Sequence, residues 1–215
     1  MVNETNGEHI RIFVVDDHPI VRKGIKQLIE ETPDLIVVDE AKDGREVLEK
    51  IQKQSIDVLL LDISLPVING FEIINEINKK HPRYKILVLS MHPEEQYAIR
   101  VLKAGAAGYL TKESAPDELI KALRKVAQGG KYITASLAEK LAFDIEKDTD
   151  QPPHELLSSR EYQVMLLMGK GKTVGQIGKE LFLSVKTIST YRSRILEKMG
   201  MKSNAEIIRY VIENK

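Results

Sequence analysis

Through the first 128 residues, short apolar runs alternate with stretches of helical periodicity. Strand-like runs fall at 12–15, 36–38, 58–61, 86–89 and 108–110. Apolar positions three and four apart fill the gaps at 20–30, 45–54, 71–79, 96–103 and 116–128. Five such βα units predict an α/β domain, a five-stranded parallel, doubly wound sheet with helices on both faces. The run Val58-Leu59-Leu60-Leu61 shows no polar alternation, as expected of a strand buried on both sides. Pro116 marks a helix start, with Ser114 as its expected cap.

Gly129-Gly130 closes the repeating pattern. A helical stretch at 136–146 leads into Asp148-Thr149-Asp150-Gln151-Pro152-Pro153, a polar, proline-containing linker. The last third has no strand pattern. It carries three Ser/Thr-x-x-Glu/Gln boxes, Ser158 with Glu161, Thr173 with Gln176 and Ser203 with Glu206, and Ser184 adds a simpler cap. Four helix starts in about 60 residues predict an all-α four-helix domain. The expected organisation is a tail at 1–9, the α/β domain at 10–130, the linker at 131–153 and the helical domain at 154–215.

The strand ends carry the chemistry. Asp62 follows the run at 58–61, Asp16 and Asp17 follow the first strand, and Ser90 and Lys112 close two others. Open α/β sheets bind ligands at the carboxyl edge of their strands, so these side chains converge there. Clustered carboxylates repel one another unless a cation joins them. The chain has no cysteine and no Glu-x-x-His pattern, so the ligands are oxygens and the expected ion is Mg²⁺. The Ser64 backbone carbonyl is a further candidate ligand. Asp62 can carry an acyl phosphate as nucleophile, while Lys112 and Ser90 can meet the incoming phosphoryl oxygens.

Composition refines the picture. The 32 basic and 32 acidic residues cancel overall. Residues 151–215, however, hold 11 Lys and Arg against 6 Asp and Glu, a net of +5 on an otherwise acidic chain. That asymmetry points the last third toward a polyanion. The competing explanation is attraction between the two halves. No apolar stretch is long enough to span a bilayer, and the first residues lack the pattern of a secretory signal. A cytoplasmic protein without membrane partners is expected.

In the basic third, 173–181 and 185–199 read as two helices joined by Phe182-Leu183-Ser184, a helix-turn-helix whose second helix would enter the major groove of double-stranded DNA. Val185, Ile188, Ile195 and Met199 are expected to face inward, and Lys186, Thr190, Ser193 and Glu197 outward, with Ser189 on the flank. The expected DNA contacts are Lys172, Lys186, Thr187, Ser189, Thr190, Arg192, Ser193 and Arg194, with the cations reaching phosphates.

Two families share these motifs. Val14-Val15-Asp16-Asp17-His18-Pro19, Leu60-Leu61-Asp62-Ile63-Ser64-Leu65-Pro66 with Asn69-Gly70, Leu89-Ser90 and Gly108-Tyr109-Leu110-Thr111-Lys112 resemble a response-regulator receiver domain. The resemblance implies Asp62 as phosphoacceptor, Asp16 and Asp17 as the acidic Mg²⁺ site, and Ser90 and Lys112 as the conformational relay. The family often has Met where Ser64 stands, a change expected to tune phosphoryl lifetime. Tyr109 is either the aromatic that swings on activation or a simple core residue.

The stretches 157–161, 171–173, 176–178 and 183–189 resemble a LuxR-type DNA-binding domain, and the whole is similar to the NarL/FixJ-type response regulators. Ser189-Thr190-Tyr191-Arg192 looks closest to the GacA/BvgA branch. The implied protein is a transcription regulator, not an enzyme beyond Mg²⁺-dependent self-phosphorylation and self-dephosphorylation. Its implied partners are a sensor histidine kinase, promoter DNA, a second copy of the chain and, as a candidate, RNA polymerase. Ile207, Ile208 and Val211 in the last helix are the expected dimer contacts. A second reading keeps the DNA binding but makes the receiver a protein-contact module that is never phosphorylated. An aspartyl phosphatase is disfavoured because Ser64 stands where a second Asp is wanted. A Rossmann domain is disfavoured because no Gly-rich turn follows the first strand.

Overall fold

The first strand, β1 (Ile10–Val15), lies between β2 (Leu35–Ala41) and β3 (Val58–Leu61). β4 (Lys85–Ser90) and β5 (Gly108–Thr111) extend the sheet beyond β3, and every pairing is parallel. The computed structural model describes residues 9–53, 55–66, 68–139 and 152–214. The chain divides into two units, Met1–Leu141 and Ala142–Lys215.

Alternate residues of the central strands serve opposite faces of the sheet. Ile12, Val14, Val58, Leu60, Leu87, Leu89 and Leu110 pack with Ile25 and Ile29 of α1 (Pro19–Glu30) and with Leu119, Leu123 and Val126 of α5 (Pro116–Ala127). Phe13, Val15, Leu59, Leu61, Ile86, Val88 and Tyr109 are buried on the other face. That side of the domain carries α2 (Gly44–Lys50), α3 (Gly70–Lys80) and α4 (Glu94–Lys103). Burial on both faces explains why β3 has no alternation. It also fixes register, since a one-residue slip would exchange two complete sets of packed side chains.

The elements differ from expectation mainly at their ends. β2 runs from Leu35 to Ala41, past the predicted 36–38, because this edge strand tolerates charge. Asp39 meets Lys50 at 3.3 Å and Glu40 meets Arg22 at 3.5 Å. α2 ends at Lys50 and tightens into a 3-10 turn, Ile51–Lys53. Residue 54, the predicted end of that helix, lies outside the described residues. Asp43 caps α2 by accepting from the Arg45 and Glu46 amides, at 3.0 Å each. α4 begins two residues early, at Glu94, with Pro93 as cap and two acids in its first turn. Ser114 does not cap α5: with Pro116 at the first helical position the cap falls on Ala115, and the Ser114 hydroxyl lies 3.3 Å from that of Thr111. Residues 135–139 are helical, while the remainder of the predicted 136–146 helix and the linker through 151 lie outside the described residues.

In the second unit a 3-10 turn, Pro153–Leu156, precedes α6 (Ser159–Gly169), α7 (Val174–Leu181), α8 (Val185–Lys198) and α9 (Asn204–Glu213). Every residue of α6 from Glu161 to Met168 is buried, so it is the central helix of the unit. The Ser158–Glu161 and Thr173–Gln176 boxes are reciprocal. Ser203 caps α9 in one direction only, because Glu206 accepts instead from the Lys202 amide and the Ser203 hydroxyl. Ser184 caps α8 through the Thr187 amide at 3.0 Å. Ile188 and Ile195 of α8 and Met199 at its C-terminal cap are buried as expected, but Val185 is 56% exposed. As the first residue of α8 it lies before the turn that meets α6.

Candidate functional site

The carboxyl ends of β1, β3, β4 and β5 bring Asp16, Asp62, Ser90 and Lys112 to one edge of the sheet. Asp16 and Asp62 each follow the last residue of their strand, are nearly fully buried, and face each other through a single cation. Lys112 Nζ lies 2.6 Å from Asp16 Oδ2 and 2.6 Å from Asp62 Oδ2. The other Asp62 oxygen accepts from the Ser64 amide at 2.9 Å. Burial pushes the Asp62 carboxyl above its ordinary range; Lys112 and the Ser64 amide oppose that shift without cancelling it. Burial works against the Lys112 charge, but the two carboxylates outweigh it and hold the ammonium protonated.

Asp17 lies at the rim. Its Oδ1 is buried without a hydrogen bond, although His18 Nδ1 stands 2.8 Å away. Ligand oxygens of Asp16, Asp17 and Asp62 and a His18 nitrogen all lie within 4.8 Å of one another. An orphaned carboxylate oxygen beside two buried carboxylates is a donor set that fits a hard divalent cation.

Ser90 and Tyr109 meet on the opposite side through His92, a residue the sequence did not single out. The His92 amide donates to Ser90 Oγ at 3.2 Å, and the Tyr109 hydroxyl donates to the His92 carbonyl at 2.8 Å. Its ring nitrogen Nε2 is 3.0 Å from Ser64 Oγ, and the ring stacks on Tyr97 at 4.5 Å between centroids. His92 thus ties the loop after β3 to the loop after β4. Only its position two residues after Ser90 hinted at this. Tyr109 is fully buried, and burial raises its phenol pKa, so it remains a donor.

In the second unit, α8 exposes Lys186, Thr190, Ser193, Arg194 and Glu197, with Ser189 half-buried on the flank. The hydroxyls of Ser189, Thr190 and Ser193 donate to carbonyls one turn back, at 2.9, 3.1 and 3.1 Å. They therefore offer lone pairs outward. Thr187 is partly committed to the cap, its hydroxyl 2.8 Å from that of Ser184. Lys172 pairs with Glu180, and Arg192 Nε donates to Asn204.

The expected dimer contacts need correction. Ile207 is fully buried and Val211 only 4% exposed, both inside their own unit, and Ile208 is half-buried. Val211 packs so closely on α6 that a Cβ on Gly169 would strike it. The small domain needs Ile207 and Val211 for its own core, and of the three only Ile208 keeps part of its side chain at the surface. The exposed large apolar residue of α9 is Ile212.

Residues 12–124 match the family described as response regulator receiver domain, and residues 155–211 match bacterial regulatory proteins of the luxR family. The chain belongs to the response regulators. The regulator is 36% identical over 206 residues to the response regulator UvrY of Escherichia coli K12, covering 95% of this chain and 94% of that one. It is 38% identical over 199 residues to GacA of Pseudomonas viridiflava, covering 92% and 93%. A solved structure of RcsB from Salmonella enterica serovar Typhimurium, bound to the rprA promoter with a beryllofluoride phosphomimetic, superimposes with a TM-score of 0.65 at 27% identity. That match covers 94% of this chain and 98% of RcsB. The regulator is thus a two-component signalling protein with a LuxR-type DNA-binding unit. No described helix is long and apolar enough to cross a membrane.

Proposed function

We propose that this regulator is a cytoplasmic transcription factor switched by phosphorylation of Asp62. The observation that carries the reading is the Asp16–Lys112–Asp62 bridge, a buried carboxylate held against an ammonium at the ligand edge of the sheet. An Asp62 oxygen attacks the phosphorus of a phosphohistidine on a sensor kinase. The phosphorus–nitrogen bond breaks and the histidine leaves. Small acyl phosphates serve as alternative donors, and water later hydrolyses the acyl phosphate.

Asp16, Asp17 and Asp62 with the Ser64 carbonyl would hold Mg²⁺, which when bound neutralises phosphoryl oxygen charge. Lys112 then exchanges one carboxylate contact for a phosphoryl oxygen. The modification adds about −1.5 to −2 charge units. Ser90 follows those oxygens, which breaks its bond with the His92 amide and frees the loop that Tyr109 holds.

The receiver spans 10–130 and the DNA-binding domain 154–215, joined by the linker at 131–153. Lys186 and Arg194 contact phosphates together with Lys172 and Arg192, and Thr187, Ser189, Thr190 and Ser193 lie along the groove. Promoter DNA, a second copy of the chain and RNA polymerase complete the set of partners. The test is intact mass after incubation with Mg²⁺ and acetyl phosphate, beside Asp62→Asn. One phosphoryl adduct on the unmodified protein, absent from the variant, is expected. No adduct on a folded protein would overturn the switch and leave the receiver as a contact module.

A further inference from the structure

Phe182 and Val185 are out of place by the ordinary rules of folding. Phe182 ends α7 in the left-handed region, φ 54° and ψ 40°, where glycine or asparagine is usual. It is the one non-glycine residue with positive φ among those described. A bulky side chain is strained there, yet its ring gains no burial, being 68% exposed. Three residues on, Val185 opens α8 and is 56% exposed. Leu183 between them is half-buried, and its amide closes the turn on the Gly178 carbonyl at 2.9 Å.

Their place identifies what would cover them. In a helix-turn-helix the first residues of the second helix approach the base edges. Val185 is the first residue of that helix, and the exposed cations Lys186 and Lys179 flank the turn. The major groove offers one apolar feature, the C5-methyl group of thymine. The hydroxyls further along α8 donate to the helix's own carbonyls and so face the groove only as acceptors, which leaves a methyl group to be met by an apolar side chain at the helix start.

We infer that Val185 and Phe182 form an apolar reader of thymine, Val185 against the C5-methyl group and Phe182 beside it. The inference rests on the DNA-binding reading of this unit. It adds two specificity residues, of which Val185 is assigned to the core by helical periodicity and Phe182 to the joining turn.

The experiment uses the full-length protein. Duplex sites are selected from a random library with acetyl phosphate and Mg²⁺ present, and each thymine of the winning site is then replaced singly by deoxyuridine, which lacks only the methyl. At one thymine per half-site the unmodified protein should lose about fourfold in affinity, the worth of one buried methyl-sized group. Val185→Ala should bind the parent site more weakly and treat thymine and uracil there alike. Phe182→Asn guards against misfolding, because asparagine suits the left-handed turn: it should melt no lower than the parent protein yet bind its site more weakly. A site with no uracil-sensitive thymine, or full thymine preference in Val185→Ala, would overturn the inference while leaving DNA binding intact. Failure to enrich any site would overturn both.

Discussion

Lys112 reaches Asp62 at 2.6 Å while holding Asp16 at the same distance, so one ammonium keeps two buried carboxylates together. Lys112→Ala should leave those carboxylates facing each other without a cation. Losing one partner of a buried ion pair costs about 3–5 kcal/mol. Urea unfolding should show that loss without divalent ions, and Mg²⁺ should restore more stability to the variant than to the parent. Equal Mg²⁺ effects on the two proteins would show that the acidic residues do not share a cation site.

Glu161 gives the DNA-binding unit an acid-sensitive joint. Its side chain is 3% exposed, accepts from the Ser158 amide and meets Lys198 at 2.7 Å. Burial alone would raise its pKa, but Lys198 and Ser158 outweigh burial and hold it below its ordinary value of 4.5. A carboxyl with a depressed folded pKa contributes stability above the unfolded value and loses it as pH falls through the folded one. Glu161→Gln keeps the capping box, as Gln176 does in the next helix, but loses the charge facing Lys198, and should therefore be less stable than the parent at pH 7 by about 0.2–1 kcal/mol. The gap should narrow as pH falls below that ordinary value of 4.5. A gap constant down to pH 3 would show that its charge plays no part.

The packing of Val211 on Gly169 makes a paired test. Gly169→Ala places a Cβ on the Val211 side chain and should cost about 1–3 kcal/mol by overpacking. Adding Val211→Ala should recover part of that loss, which a double-mutant cycle in thermal unfolding would measure.

Ile207→Ala tests whether α9 is core or interface at that position. A fully buried isoleucine should cost about 2–5 kcal/mol on truncation. Sedimentation of the phosphorylated protein should show an unchanged dimerisation constant. A weakened dimer with undiminished stability would restore Ile207 to the interface.

Tyr109→Phe removes the donor to the His92 carbonyl while keeping the ring in the core. The expected cost to receiver stability is about 1 kcal/mol. Phosphorylation at Asp62, followed by intact mass, should persist, because Tyr109 touches the His92 carbonyl and not the acidic residues. Loss of the adduct would place Tyr109 in the chemistry itself.

Much of this was legible in the order of residues. Apolar runs of period two or none, alternating with three-and-four spacing, determine a parallel sheet, because only a sheet covered on both faces can bury Val58 through Leu61 completely. A carboxylate directly after such a run must emerge at the ligand edge, so Asp16, Asp62 and Lys112 could be brought together without coordinates. The Ser158 and Thr173 boxes likewise announced their helices, since capping is local and acts within four residues.

Tertiary packing decided the rest. Whether an apolar residue on a helix faces the core depends on which neighbour covers it, and periodicity reports only the side of the helix. Ile207 and Val211 therefore look like surplus surface in sequence and prove to be core, because α6 lies against them. Val185 has the opposite fate, since α8 begins before any helix covers it. His92 acquired its role from distance alone: Ser64, 28 residues earlier in the chain, and Tyr109, 17 residues later, both meet it, and no local pattern encodes such contacts.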